Sequence, residues 1–212
     1  MRRHLPHCAM SQPSTACCLG LRSSFGYGDR LGSATPGHLA AYLECGGAIE
    51  PIFAQQSIRE MARTRRSPTE VMQSAAAALE AACFTGRWGA DADHLKTPAD
   101  VDETAAAGFV FFTIDPSEFV DPAADHDSSQ EIDRKFRQVQ ATAGWFERYA
   151  GQSRVLGGGL KIDFDRHSVQ RAAVKYGRAI AHAISLAKHI DRVMSSLGRD
   201  YEIELSVDET PQ

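Results

Sequence analysis

The sequence has no long apolar run and no dense block of basic residues. No stretch approaches the roughly 18 apolar residues that a membrane-spanning helix requires. The 212 residues carry 23 basic and 27 acidic side chains. The closest basic group, Arg63, Arg65 and Arg66, is too sparse for a nucleic-acid surface. We therefore expect neither a membrane nor a nucleic acid as a partner.

Paired cysteines are also missing. The five cysteines, an odd number, include no CxxC pair, which fits neither a disulfide framework nor a zinc site. The chain begins with two arginines, but prolines and polar side chains at 6–13 interrupt any apolar signal-peptide core. These features predict reduced thiols and a cytoplasmic protein, with residues 1–23 as an irregular, disordered leader.

One pattern repeats along the rest of the chain: a short apolar stretch ends in polar residues and is followed by a helical pattern. The candidate strands with their exits are FGYGDR, PIFAQQ, RWGADADH, GFVFFTIDPS and YEIELSVDET. Strands that alternate with helices in this way are typical of β/α units with a parallel sheet. About five strands are too few for a closed eight-stranded barrel of about 250 residues. We predict an α/β fold, a partial TIM-like (β/α) barrel over 24–212 with one long helical segment.

Helix starts are marked by a hydroxyl residue followed by proline. Thr35, Ser67 and Thr97 are the predicted caps. Apolar residues at intervals of three and four predict one amphipathic helix over 128–150, and Asp165 is predicted to cap a longer one over 168–197. The piece GGGLKIDF before it is consistent with a strand or a loop.

Ligands of β/α folds bind at the carboxyl ends of the strands, so the polar residues after each strand are the candidate site. We predict substrate binding by the following side chains: Asp29, Arg30, Gln55, Gln56, Lys96 and Asp115.

The densest of these exits is the run DADHLK, in which Asp93 is a candidate base, His94 a candidate metal ligand and Lys96 a partner for a substrate carboxylate. The alternative is that Asp93 caps a turn and His94 packs against the next helix. That alternative does not explain why several ionisable groups precede a helix already capped at Thr97. Glu209 is a second candidate acid, and the alternative for it is a solvated tail residue.

These residues belong to longer motifs that resemble the tagaturonate epimerase family: FGYGDRLG, TPGH, PIFAQQSIREM, GADADHLKT, GFVFFTIDPS, AVKYG and SVDET, over roughly 24–210. The resemblance implies a β/α barrel enzyme that uses a divalent metal cation, such as zinc or manganese, to interconvert the sugar acids tagaturonate and fructuronate. By position it implies that Asp93 is the proton acceptor, His94 a metal ligand and Glu209 the proton donor.

The chain departs from the family in two ways: it is shorter, and it ends before further histidine ligands of the metal. We therefore expect a fragment, inactive alone, that self-associates through open strand edges or needs a complementing piece. Two alternatives remain: a metal-dependent aldolase or isomerase of a related keto-acid, and a catalytically silent chain that binds a sugar acid.

Overall fold

The computed structural model describes residues 15–207, which divide into two compact units. Of these residues, the first unit holds 15–114 and 189–204, and the second holds 115–188 and 205–207. In chain order the helices and strands are β1 Ser24–Gly28, α1 Thr35–Cys45, β2 Glu50–Ser57, α2 Ile58–Thr64, α3 Pro68–Ala81, β3 Gly89–Leu95, α4 Pro98–Ala107, β4 Phe111–Ile114, α5 Ser129–Val139, α6 Phe146–Tyr149, β5 Gln152–Val155, β6 Lys161–Phe164, α7 Arg166–Ser196 and β7 Glu202–Leu205.

The first unit is built on a five-stranded sheet in the order β1-β2-β3-β4-β7. The strands β1 to β4 pair in parallel, each with the next along the chain. The predicted α/β class with a parallel sheet is therefore confirmed, and all five predicted strands are present. The predicted domain bounds, and the relation of this sheet to a barrel, stay predictions.

Aromatic side chains fill the space between the sheet and α1. The ring of Phe53 on β2 is 1% exposed and stacks on Tyr27 of β1 at 5.4 Å between centroids. Tyr42 of α1 meets the same ring edge-on at 5.9 Å. Burial of one such ring contributes about 2 kcal/mol, and this contact fixes α1 behind the first two strands.

Two of the three predicted helix caps are confirmed. Ser67 and Thr97 each form a capping box with the acidic residue three positions later. The prediction for Thr35 is wrong, because Ala34 occupies the cap position. The carboxylate of Asp29 instead accepts hydrogen bonds from the backbone and hydroxyl of Thr35, each at 2.8 Å. A side chain from the end of β1 thus replaces the local cap.

The second unit contains a helix pair where one helix was predicted. The pattern over 128–150 predicted a continuous helix, but α5 and α6 are separated at 140–145, so this prediction is wrong. Within the break, Thr142 Oγ1 donates to the carbonyl of Val139 at 2.8 Å. The apolar side chains on both sides of the break still pack into one cluster with Val169 and Ala173 of α7. Periodicity therefore identified the buried face but not the interruption.

The predicted cap of the long helix is confirmed, since Asp165 Oδ1 accepts from the backbone N–H of Ser168 at 3.0 Å. The open question about GGGLKIDF is settled in favour of a strand, β6, which pairs antiparallel with β5. None of the helices within 15–207 combines the length and apolar character needed to cross a membrane.

Residues 15–23, the described part of the predicted leader, contain no helix or strand. This segment nevertheless packs against the rest of the first unit, to which it belongs. Leu19 is 4% exposed, and the backbone N–H of Cys17 donates to the carbonyl of Trp88 at 2.9 Å.

Candidate functional site

The candidate site lies at the carboxyl end of β3. This strand is mostly buried, and its last residues carry the acidic and imidazole groups of the GADADHLKT motif. In the ladder with β2, Asp91 lies opposite Gln55 and Asp93 opposite Ser57. Because the strands are parallel, the ends of β2 and β3 meet at one edge of the sheet. The side chain of Asp93 is 26% exposed, so a ligand at that edge can reach it.

Asp93 and His94 form a close pair. Nδ1 of His94 lies 2.7 Å from Oδ1 of Asp93. An ionised carboxylate can only accept a hydrogen bond, so against an ionised Asp93 the Nδ1–H of His94 donates, and Nε2 is the ring nitrogen turned away from the carboxylate. A histidine held by a carboxylate in this way has the orientation that metal-binding histidines adopt.

The backbone at His94 is strained. Its φ is 57°, a left-handed conformation that costs a non-glycine residue about 1–2 kcal/mol. At the same place the ladder between β3 and β4 shifts register, between Ala92 and Leu95. Such strain persists only where the surroundings enforce it, and it concentrates at functional sites.

The described residues do not form a complete metal site. Within 15–207 no group of three or more His, Cys, Asp or Glu side chains is arranged to hold a metal ion. Catalytic metal sites generally use about three protein ligands. His94 is the predicted metal ligand within these residues, and alone it does not fit a catalytic divalent cation.

Sequence reasoning missed Asp91 as an individual site residue. This side chain is 1% exposed and accepts hydrogen bonds on both oxygens, from Gln55 Nε2 at 3.0 Å and from Thr113 Oγ1 at 3.1 Å. The pKa of Asp91 is raised to about 7, chiefly by burial and also by the neighbouring Asp93, against the lowering effect of the two hydrogen bonds. The sequence did contain a signal for Asp91: it lies two residues before Asp93, which places both side chains on the same face of β3.

Three of the predicted substrate-binding residues, Asp29, Arg30 and Gln56, form contacts with other residues of the chain. Asp29 accepts backbone hydrogen bonds from Ser33, Ala34 and Thr35. Burial raises the pKa of Asp29, but these bonds outweigh burial and the net shift is downward. Arg30 is exposed and pairs with Glu60 at 3.5 Å.

Gln56 is turned the other way from Gln55. Its Oε1 accepts from Arg66 at 3.2 Å and its Nε2 donates to the carbonyl of Arg30 at 3.4 Å. It is 3% exposed. For Asp29 and Gln56 the geometry shows contacts that order the loop after β1, and their substrate roles stay predictions.

The remaining predicted residues are placed separately. Lys96 follows β3, where its backbone N–H donates to Asp100 at 3.0 Å. Asp115 follows β4, belongs to the second unit and accepts from the backbone N–H of Ser117 at 2.9 Å. Glu209 lies outside the described residues. The structure thus brings Gln55, Asp93 and His94 to adjacent strands and joins Gln55 to Asp91.

Comparison with known proteins gives a consistent result. A family model described as tagaturonate epimerase matches residues 5–212, which includes most of the predicted leader. The tagaturonate/fructuronate epimerase of Thermotoga maritima is 39% identical over 192 residues, which are 90% of this chain and 38% of that protein.

Solved structures of the fructuronate-tagaturonate epimerase UxaE from Cohnella laeviribosi are similar as well. The one-glycerol complex superposes with a TM-score of 0.83 at 33% identity, and the native crystal structure with a TM-score of 0.82 at 33% identity. Each match covers 93% of this chain and 40% of the other. The chain therefore spans about 40% of the length of these relatives. Because the family match extends over nearly the whole chain, the chain belongs to the tagaturonate epimerase family.

Proposed function

We propose that this chain supplies the base of an epimerase that interconverts D-tagaturonate and D-fructuronate in hexuronate catabolism. The observation that carries the proposal is the Asp93 carboxylate, half-buried at the carboxyl end of a parallel strand and held at 2.7 Å from His94. The names of the relatives, tagaturonate/fructuronate epimerases, support the substrate class.

The chemistry follows from the position of the inverted carbon. The two sugar acids differ at a carbinol carbon β to the ketone, so removal of a proton α to the carbonyl cannot invert it. Retro-aldol cleavage can. A base takes the proton of the β-hydroxyl, the bond between the α- and β-carbons breaks, and its electrons form an enediolate while the β-carbon becomes an aldehyde. Rotation of the aldehyde and re-addition of the enediolate give the epimer, whose new alkoxide takes back a proton.

Asp93 is the proposed hydroxyl base. One of its oxygens contacts the imidazole of His94, and a quarter of its side chain stays exposed. A carboxylate in this position can take the hydroxyl proton and return it after re-addition. Glu209 is the proposed acid that returns or relays the proton. The divalent metal stays a prediction, with His94 as one ligand, and no step above depends on it. The cytoplasmic location also stays a prediction.

The test is an assay of the purified chain with each sugar acid, in manganese or zinc, followed by chromatography of both epimers. We expect no conversion by the chain alone and conversion by a version extended to the length of its relatives, in which Asp93→Asn should lose about 100-fold or more because a positioned base contributes about 10²–10⁴-fold. The matched control is Asp102→Asn, since Asp102 and His189 form an exposed Asp–His pair at the same 2.7 Å. The control variant is expected to keep its turnover.

Two other outcomes favour the alternative functions. Net formation of three-carbon products would identify an aldolase. Binding of a sugar acid without turnover, in the extended version as well as in the chain alone, would identify a silent binder, an alternative motivated by the lack of a three-ligand metal group within residues 15–207. Turnover that survives in Asp93→Asn would refute the proposed base.

A further inference from the structure

A row of contacts crosses the first four strands on one face of the sheet. Gln55 of β2 and Thr113 of β4 both donate to Asp91 of β3, from opposite sides. On the far side of Gln55 lies Gly26 of β1. Asp91 is the centre of this row, and Asp93 lies two residues further along the same strand face.

The carboxylate of Asp91 determines which end of the Gln55 amide faces it. An ionised carboxylate has only acceptors, whereas the amide has a donor end and an acceptor end. The Nε2 group of Gln55 must therefore point to Asp91, as it does at 3.0 Å. The Oε1 atom is left on the side of Gly26. Gln55 is only half-buried, so a ligand at the sheet edge can reach this amide.

Gly26 fixes the same side chain from the other side. A Cβ atom added at Gly26 would overlap the Oε1 and Cδ atoms of Gln55. The φ of Gly26 is not positive, so the backbone does not require glycine there. Glycine is needed there because the amide of Gln55 occupies the space that a Cβ atom would fill.

We infer that Asp91 is a positioning residue, which holds the amide of Gln55 so that Oε1 accepts a hydrogen bond from a hydroxyl group of the sugar acid. The inference rests on the proposed function for the identity of the ligand. Burying a carboxylate is unfavourable, and a neutral side chain would suffice to fill the space and bond to Thr113. What an ionised carboxylate adds is that it excludes the flipped amide of Gln55.

The test is a double-mutant cycle on ligand affinity, with D-fructuronate as the probe in calorimetry at about pH 8, where Asp91 is ionised. We expect Asp91→Leu and Gln55→Ala each to bind about five- to tenfold more weakly, as for loss of one hydrogen bond. If Asp91 acts through Gln55, the double variant binds no more weakly than Gln55→Ala. Asp91→Asn retains an acceptor for Gln55 and should lose at most about threefold.

A structural role predicts a different result. Additive losses in the cycle, or equal losses in Asp91→Leu and Asp91→Asn, would overturn the inference. The control Thr104→Val removes another buried hydroxyl hydrogen bond, at 2.7 Å to the carbonyl of Asp100. This variant should change the melting temperature and leave the affinity unchanged.

A ligand-free measurement separates this inference from the proposed function. In ¹⁵N relaxation of side-chain amides, the Gln55 signal should be rigid in the parent chain and in Asp91→Asn, and mobile in Asp91→Leu. A rigid amide in Asp91→Leu would overturn the inference even if fructuronate binds. If the parent chain binds neither sugar acid, the proposed function fails, and the relaxation data still decide whether Asp91 orients Gln55.

Discussion

Replacing Asp91 by asparagine should stabilise the protein at neutral and alkaline pH. The side chain is 1% exposed, and within 15–207 its hydrogen-bond partners are the uncharged side chains of Gln55 and Thr113. The nearby Asp93 and Glu204 carry the same charge and oppose its ionisation. An asparagine can accept from Gln55 and donate to the hydroxyl of Thr113, so both hydrogen bonds survive. The charge is removed and the contacts remain.

The magnitude follows from the pKa of Asp91, which burial raises from 3.8 to about 7. Because the folded state holds the proton more tightly than the unfolded state, the stabilising contribution is complete below about pH 4. It is lost as the pH rises through about 7. Each pH unit in this window is worth about 1.4 kcal/mol. The parent chain should therefore lose at most about 4 kcal/mol between pH 4 and pH 8 from this group alone.

The assay is urea unfolding of the parent chain and Asp91→Asn at several values between about pH 4 and about pH 8, followed by circular dichroism. We expect nearly equal free energies of unfolding at the acidic end and a growing advantage for the variant as the pH rises. The control Thr104→Val should differ from the parent by a constant amount. A difference between parent and Asp91→Asn that does not change with pH, or a less stable variant at pH 8, would refute the reasoning.

Three further predictions concern single residues. Gly26→Ala should displace the Gln55 amide and lower the free energy of unfolding by about 1–3 kcal/mol through overpacking. Urea unfolding measures this loss. A Gln55 amide NMR signal unchanged from the parent would contradict the displacement. Ser67→Ala removes the capping box of α3 and should cost about 1 kcal/mol, measured as a lower urea midpoint with an unchanged slope. His94→Gly should be more stable than His94→Ala by about 1 kcal/mol, because φ at this position is 57°; equal stability in thermal unfolding would show that the strain is relieved.

The parts of the fold that sequence reasoning predicted are those encoded within a few residues. Ser67 and Thr97 cap helices through bonds to residues three positions later, and apolar runs with polar ends gave the five strands of the sheet. Thr35 was mispredicted as a cap because the group that serves α1 is Asp29, several residues earlier in the chain. A short sequence pattern does not show whether Thr35 or Asp29 serves the start of α1, because the loop between them folds back and brings the Asp29 carboxylate to that helix end.

The site was predicted where it is contiguous and missed where it crosses strands. Asp93 and His94 are adjacent in sequence, and their contact at 2.7 Å needs no distant partner. The partners of Asp91 come from β2 and β4, 36 and 22 residues away, so only the sheet register brings them together. The same register separates Gln55 from Gln56, which face opposite sides although both were predicted to bind substrate.

A carboxylate at position 91 makes the folded protein less stable than an amide would. The two side chains also differ in which orientations of the Gln55 amide they allow. An asparagine there has two orientations, and in one of them its amide group would face Gln55, which could then flip so that its own oxygen accepts. The ligand would meet a donor in place of an acceptor. The ionised carboxylate of Asp91, the main form above about pH 7, allows one arrangement only, with Nε2 of Gln55 turned toward it. Stability lost by burying the charge is thus exchanged for a single orientation of the amide. This accounts for an expected small loss of affinity in Asp91→Asn together with a gain in stability, two effects that a purely structural carboxylate would not produce in opposite directions.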